Sequence, residues 1–277
     1  MTMKNFLKKL VRNKMALIGV LLIGFILLIS IFSPLLITHD PEAMDYLALL
    51  QKPSANHLLG TDSLGRDIYS RILDGSRTSL LIALLVVGIS AVLGTLIGIL
   101  SGFYGGIIDS IIMKITDTLM AFPSILLALF FVTVFGGGLY SAIIGVAIAS
   151  IPRFIRLVRG QVLSIKEKEY IEAEYAVGQT NFLIMMRHVL PNCAGPLIVQ
   201  ATLTMGNAIT TVAGLGFLGL GAAPGQAEWG SMLSDAREYL RSAPYVALYP
   251  GLAIAVTVLG FNLLGDGLRD ILDVRQD

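Results

Sequence analysis

Thirty-five consecutive residues, Thr118 to Pro152, carry no charged side chain. The hydrocarbon of a bilayer takes about 20 residues per helical crossing, so this run is too long for one span and needs an internal break. Gly136-Gly137-Gly138 divides it, and Pro123 is expected to kink or interrupt the first half, because proline lacks the N–H that the helical ladder uses. Four further runs are free of charge: Met15–Thr38, Thr78–Ile108, Asn192–Ala227 and Ala243–Gly265. The chain is 55% hydrophobic and 14% charged, against roughly a quarter charged in a soluble domain. The reading is an all-α polytopic membrane protein of about six transmembrane helices. Backbone groups in lipid must be satisfied within the chain, which leaves helices as the solution for runs of this length.

Charge placement sets the expected orientation. Lys4, Lys8, Lys9, Arg12 and Lys14 precede the first run, which is too long for a signal-peptide core, so it reads as an uncleaved span with its N-terminus in the cytoplasm. Six crossings then return the C-terminus to the same side. With that arrangement fourteen Lys and Arg fall inside and six outside, as the positive-inside bias expects. The expected organisation is residues 1–38 as flank and first span, 39–77 as an external loop ending in a short helix capped by Asp62 or Ser63, and 78–277 as a core of five spans. The segment 160–192 lies on the cytoplasmic side of that core.

Ser164 to Pro191 is the one long charged, helix-forming stretch between spans. Ser164 and Glu167 fit a capping box, and Gly178 supplies a left-handed residue that commonly ends a helix. Thr180 or Asn181 can cap a second helix with an apolar side of Phe182, Met185, Met186, Val189 and Leu190, limited by Pro191. The expectation is a helix-turn-helix outside the lipid.

Within the spans, Ser90, Gly94, Gly98 and Gly102 recur on one helical face. That face permits close packing, read here as packing inside the chain's own bundle in preference to a subunit contact. Lys114 and Asp117 are spaced to pair. Arg153, Arg156 and Arg159 at a span's end read as snorkelling anchors, not a voltage sensor. Trp229 and Tyr239 in a short amphipathic helix suit a membrane interface. Thr202, Thr204, Asn207, Thr210, Thr211, Thr257 and Asn262 are candidates to line a path, with Thr204, Asn207, Thr211 and Asn262 foremost, although hydroxyls and amides also bond within their own bundle.

Several chemistries are excluded by pattern. No GxxxxGK[ST], HExxH, GxSxG or CxxC occurs, so neither a P-loop ATP site nor a common hydrolase site is expected in this chain. Gly214, Gly216 and Gly219 match GxGxxG formally, but no strand-helix unit surrounds them. One cysteine, Cys193, excludes an internal disulfide, and His39, His57 and His188 have no metal-ligand spacing, so no metal site is expected. Nothing points to nucleic acid.

Glu172-Ala173-Glu174, then Gly178, then His188-Val189-Leu190-Pro191 resembles the cytoplasmic EAA motif of permease subunits in binding-protein-dependent ABC importers. Glu174 stands where that pattern has alanine and His188 where it has an aliphatic residue. His57-Leu58-Leu59-Gly60-Thr61-Asp62, Gly65-Arg66-Asp67, Ser70-Arg71, Gly216 to Gly221, Glu228-Trp229-Gly230 and Phe261 to Asp266 are similar to the C-type permeases of dipeptide, oligopeptide and nickel importers. The resemblance implies a type I importer permease in the bacterial cytoplasmic membrane, with both termini cytoplasmic. It implies a homologous second permease, two ATPase subunits that bind ATP and Mg, and an extracytoplasmic binding protein. It also implies that Glu172, Ala173, Glu174, Gly178, His188, Leu190 and Pro191 form the ATPase-coupling site. This chain would be non-catalytic. Peptides are expected before nickel or another chelated metal. The readings of another class are a stand-alone channel or secondary carrier, and a membrane scaffold without transport.

Overall fold

A computed structural model describes residues 3–223 and 225–272, with the side chains of residues 3–7 left aside. A short helix α1 (Met3–Arg12) leads into α2 (Lys14–Leu36), whose start is capped by the Asn13 side chain accepting from the Ala16 N–H. The buried residues of α2 are Ala16, Gly19, Ile23, Ile26, Ser30 and Ser33. Their alternating spacing of three and four makes one narrow stripe. The stripe packs on the last helix, α11 (Tyr245–Leu272), at three points of close approach: Gly19 on Leu264, Gly260 on Leu22 and Ile23, and Gly267 on Ala16. Leu21, Phe25, Leu28, Ile31 and Leu35 face outward, as lipid-facing side chains do.

Helix α3 (Ile68–Tyr104) is 37 residues long and begins well before the expected span. Its cap is Asp67, accepting from the Ser70 N–H at 2.8 Å, so neither Asp62 nor Ser63 caps it and no separate short helix closes the loop. Asp62 is instead consumed by arginines, which leaves the next carboxylate for the cap. The Ser90, Gly94, Gly98 and Gly102 face packs on α6 (Gly138–Lys166). Gly94 meets Phe154 and Ile155, Gly98 meets Ile155 and Val158, and Gly102 meets Arg159 and Val162. The small-residue face thus serves the chain's own bundle.

Between these helices, α4 (Gly106–Met120) and α5 (Ser124–Val134) are bent by 97° at the Pro123 break. Neither half alone reaches across about 30 Å of hydrocarbon at 1.5 Å per residue, so a crossing here takes both halves together. Gly136, Gly137 and Gly138 all have positive φ and turn the chain into α6. Among the described residues five helices are long and apolar enough to cross a membrane, or six if the bent pair is one span.

Three expectations about helix limits are corrected. Ser164 caps nothing: α6 runs through it to Lys166, because Val158, Val162 and Ile165 are still buried along that side. The next helix, α7 (Glu169–Ala176), starts after Lys168. Pro191 ends nothing either. A short α8 (Asn181–Ile184) passes through a π-helical turn (Met185–Val189) into α9 (Leu190–Phe217), one continuous rod. Within it, the Leu190 N–H reaches back to Met185 O. The wider turn accommodates a proline that has no N–H to donate, and the Asn192 side chain donates to His188 O at 2.6 Å. The polar tail is likewise helical as far as Leu272, within α11.

After α9, Gly219 (φ +79°) closes the helix and the chain folds back as α10 (Trp229–Ala236) followed by a 3-10 turn, Arg237–Tyr239. Trp229 is only 2% exposed and donates its indole N–H to Ile72 O at 3.1 Å. It is a core residue, not an interfacial one, because α10 packs against α9, α11 and the N-terminal part of α3. The main apolar core joins α2, α3, α5, α6, α9, α10 and α11; a second cluster, from Ile99 to Cys193, sits beside α7.

Candidate functional site

Helix α7 and the turn after it are held at the end of the bundle where α6 leaves and α8 begins. Ile171 is the one buried residue of α7 and lies in the second apolar cluster with Val162, Ile165, Ile184 and Val189. Glu169 and Glu172 occupy the first turn, where the helix dipole favours negative charge. The helix closes on Gly178 at φ +81°. There the Gly178 N–H donates to Tyr175 O at 3.0 Å and the Gln179 N–H to Glu174 O at 3.1 Å, a Schellman-type closure. Thr180 occupies the position before α8 but makes no side-chain cap.

The rest of the segment faces out. Glu172, Ala173 and Pro191 are exposed and Leu190 is half-buried. Val177 and Phe182 are 75% and 69% exposed, with Tyr170 and Tyr175 beside them in the open. Apolar surface of this kind on an otherwise polar segment is the kind that a contact with another molecule would cover. Glu174 and His188, the two residues that depart from the motif's pattern, meet each other: Nε2 of His188 is 3.0 Å from Oε1 of Glu174. The pair ties α7 to the π turn across the intervening bend, with the Tyr170 ring 6.2 Å from the imidazole.

Polar contacts brace the same end. Asp109 at the start of α4 receives Nε and Nη2 of Arg159 at 2.6 and 2.7 Å, together with the Ser101 hydroxyl. Arg156 pairs with Asp117 at 2.6 Å. Arg156 and Arg159 are therefore inter-helix ties and not free snorkelling anchors, and Asp117's partner is Arg156 instead of Lys114. Lys166 donates to Phe103 O at 2.6 Å, capping the C-terminal end of α3.

The path candidates do not converge on one surface. Asn207 and Thr211 line a pocket of about 30 Å³ with Ser124, Ser150 and Arg153. Thr204 is buried and bonds to Gln200 O, while Asn262 lies on α11 beside Gly206. Thr202, Thr210, Thr211 and Thr257 each donate to a carbonyl four residues earlier in their own helix. Sequence reasoning did not connect Arg153 or Ser124 with this pocket; the signal was the Pro123 break, which turns the start of α5 towards α9. A larger cavity of about 350 Å³ opens between α6, α9 and α11, lined by Gln161, Gln200 and Arg269 among apolar groups.

At the opposite end, the loop from 37 to 67 is fixed by buried charge. Asp62 accepts Arg66 Nε at 2.7 Å and the Leu64 and Arg66 N–H groups, and Arg66 Nη2 reaches Asp235 at 2.9 Å. Arg71 donates to Pro41 O and Gly225 O. Glu228 takes the Gly230 and Ser231 N–H groups at 2.8 Å each and the Ser79 hydroxyl at 3.3 Å. Burial pushes its carboxyl pKa up, against the lowering effect of those three donors. Spacing along the chain contains no metal-ligand set, yet His39, His57 and Asp67 come together here with ligand atoms within 4.8 Å. They arrive from the end of α2, the middle of the loop and the cap of α3, a convergence that no linear pattern encodes.

Residues 94–277 match the family described as binding-protein-dependent transport system inner membrane component, and residues 2–53 match the N-terminal transmembrane domain of oligopeptide transport permease C. The chain is 48% identical over 269 residues to the dipeptide transport system permease protein DppC of Alkalihalophilus pseudofirmus, covering 97% of this chain and 88% of that one. It is 45% identical over 254 residues to the probable D,D-dipeptide transport system permease protein DdpC of Escherichia coli K12, covering 92% and 85%. It is 46% identical over 272 residues to an Escherichia coli glutathione transport system permease protein, GsiD, covering 98% and 90%. Among solved structures, an inward-facing MetNI methionine ABC transporter chain superposes with a TM-score of 0.59 at 21% identity, covering 74% of this chain and 97% of that one. That likeness is one of fold.

Proposed function

The chain belongs to the family of binding-protein-dependent transport system inner membrane components, and from that premise we propose that it forms half of the translocation path for small peptides in an ATP-driven importer. Its relatives are named for dipeptides, D,D-dipeptides and glutathione, a shared chemistry of short peptide-like solutes. The other half of the path would be a homologous second permease. Two ATPase subunits that bind ATP and Mg would supply the energy, and an extracytoplasmic binding protein would deliver the peptide. The termini and α7 face the cytoplasm in this reading.

The observation that carries it is the construction of the α7 turn. It exposes Glu172, Ala173, Val177 and Phe182 while its one buried residue, Ile171, is locked into the bundle. A short helix laid in an ATPase groove suits that profile. Because α6 ends next to it and α8 runs without a break into α9, movement of the docked helix would be delivered to two spans as rigid-body motion. In this scheme Glu172 makes the polar contact, Ala173 permits close approach and Gly178 sets the turn. Glu174 and His188 hold the turn's shape, and Leu190 and Pro191 carry the rod on from the π turn into α9.

Purification of the chain from its native membrane tests this. Two ATPases and a second permease should accompany it, reconstituted uptake of a dipeptide should require ATP and the binding protein, and a Val177→Cys variant should cross-link to an ATPase. ATP-independent conductance or uptake by the isolated chain would replace this reading with a channel or carrier.

A further inference from the structure

We propose that His39, His57 and Asp67 form a binding site for a single divalent transition-metal ion at the loop end of the bundle. Nδ1 of His57 is 2.9 Å from Oδ1 of Asp67, and Nδ1 of His39 is 3.9 Å from the same oxygen. The two imidazole rings lie 4.7 Å apart at 32°. For metal-ligand bonds of about 2.0 Å at tetrahedral angles, the ligand atoms must sit roughly 3.3 Å from one another. One separation from Asp67 has to open slightly and the other to close slightly, within a set whose ligand atoms all lie within 4.8 Å of one another, and His39 Nδ1 has to exchange its 3.0 Å contact with the Thr38 hydroxyl for the ion. His39, the most exposed of the three, lies in the loop, where adjustment is cheap.

The charge balance points the same way. Asp67 is 2% exposed, and among the described residues its ion-pair partners are the two imidazoles. The nearby guanidiniums are engaged elsewhere, Arg66 on Asp62 and Asp235, Arg71 on two carbonyls and Asp62. A buried carboxylate lacking a fixed cation is costly unless a cation joins it. Two nitrogens and one oxygen within 4.8 Å of one another form a donor set suited to Zn²⁺, Cu²⁺, Ni²⁺ or Co²⁺ and poorly suited to Mg²⁺ or Ca²⁺. The second oxygen of Asp67 is held by the Ser70 N–H, which fixes the direction of the first. With three protein ligands, the exposed side of His39 leaves a position for water. The bound ion would fasten the end of α2 to the start of α3, since the Thr38 and His39 N–H groups already rest on the Ser70 hydroxyl.

The test uses the full-length chain in detergent, purified without a histidine tag and stripped by a chelator. Titration with Zn²⁺ against a chromogenic chelator should show one equivalent per chain. His39→Ala, at an exposed position, should weaken binding tenfold or more while leaving the metal-free unfolding midpoint unchanged. His57→Gln should weaken it as well, and His188→Ala should leave it as in the wild type. Co²⁺ in place of Zn²⁺ should give the intense visible absorption of a four-coordinate nitrogen and oxygen site, absent in His39→Ala. Absence of a zinc equivalent, an affinity equal in wild type and His39→Ala, or a response of this loop to acid alone would overturn the proposal; the last would assign the cluster to a proton.

Discussion

Arg66 and Arg71, at the loop end, are each 1% exposed and direct their guanidinium groups at carboxylates and carbonyls of the same chain. At the other end α7 buries Ile171 and leaves its acidic and apolar side chains in the open. The first end satisfies its most expensive groups internally, and the second leaves surface that water covers poorly. Polar groups buried with partners fix one geometry, whereas uncovered apolar surface is kept where a partner supplies the cover. The difference teaches that the bundle is clamped at one end and left open at the other, with the glycine seam of α3 on α6 between them.

The harshest way to break this comparison is at the clamp. Arg66→Ala leaves Asp62 buried, and loss of one partner of a buried pair costs about 3–5 kcal/mol. The lower figure is expected because Arg71 Nε remains 3.6 Å from Asp62. Thermal unfolding in detergent and the level of protein in the membrane would report it, and a variant as stable as wild type would show the clamp to be ornamental. The seam comes next. A Cβ at Gly98 would lie 2.9 Å from both Ile155 O and Val158 Cβ, so Gly98→Val should cost about 1–3 kcal/mol through overpacking, read in the same melt.

At the α7 end, effects on function should exceed effects on folding. A side chain at Gly178 meets nothing within 4 Å, so Gly178→Val pays for its φ of +81°, about 1–2 kcal/mol. It should reach the membrane yet impair ATPase docking and uptake. Glu172→Ala should shift stability by less than about 0.5 kcal/mol while weakening co-purification of the ATPases. Full uptake in both variants would remove α7 from the coupling role. The smallest effect expected concerns Glu228. Its folded-state pKa is raised by burial, so the folded chain holds that proton at a pH where the unfolded chain has released it. Wild-type stability relative to Glu228→Gln should therefore improve as pH falls through the raised value and level off below the ordinary carboxylate range. Melting both proteins across that range measures the difference.

What could be read from the sequence is local in origin. Uncharged runs located the spans, Pro123 the break and Gly136 to Gly138 the turn, because hydropathy and backbone conformation act within a few residues. The Gly94, Gly98 and Gly102 face was legible as a packing face, since a small residue every fourth position lets another helix approach closely. The misreadings were decided at long range. Ser164 has cap chemistry, but Ile165 beyond it is still buried, so packing carried the helix through. Trp229 has an interfacial side chain, yet a carbonyl of Ile72 claimed its N–H. Asp117 had Lys114 nearby and found Arg156 on another helix instead. His39, His57 and Asp67 meet because the end of α2 and the start of α3 lie side by side.

The widened turn at Met185–Val189 has a geometric consequence of its own. An α-helix advances about 100° per residue, and the π turn amounts to one additional residue wound into an otherwise regular column. Winding those same residues as ordinary α-helix would rotate everything beyond them, Asn207 and Thr211 included, by roughly a quarter revolution about the axis, whereas deleting a single position there would restore ordinary winding and leave that face nearly where it is. The azimuth of that whole membrane-crossing face is thus set by one irregular step at its foot.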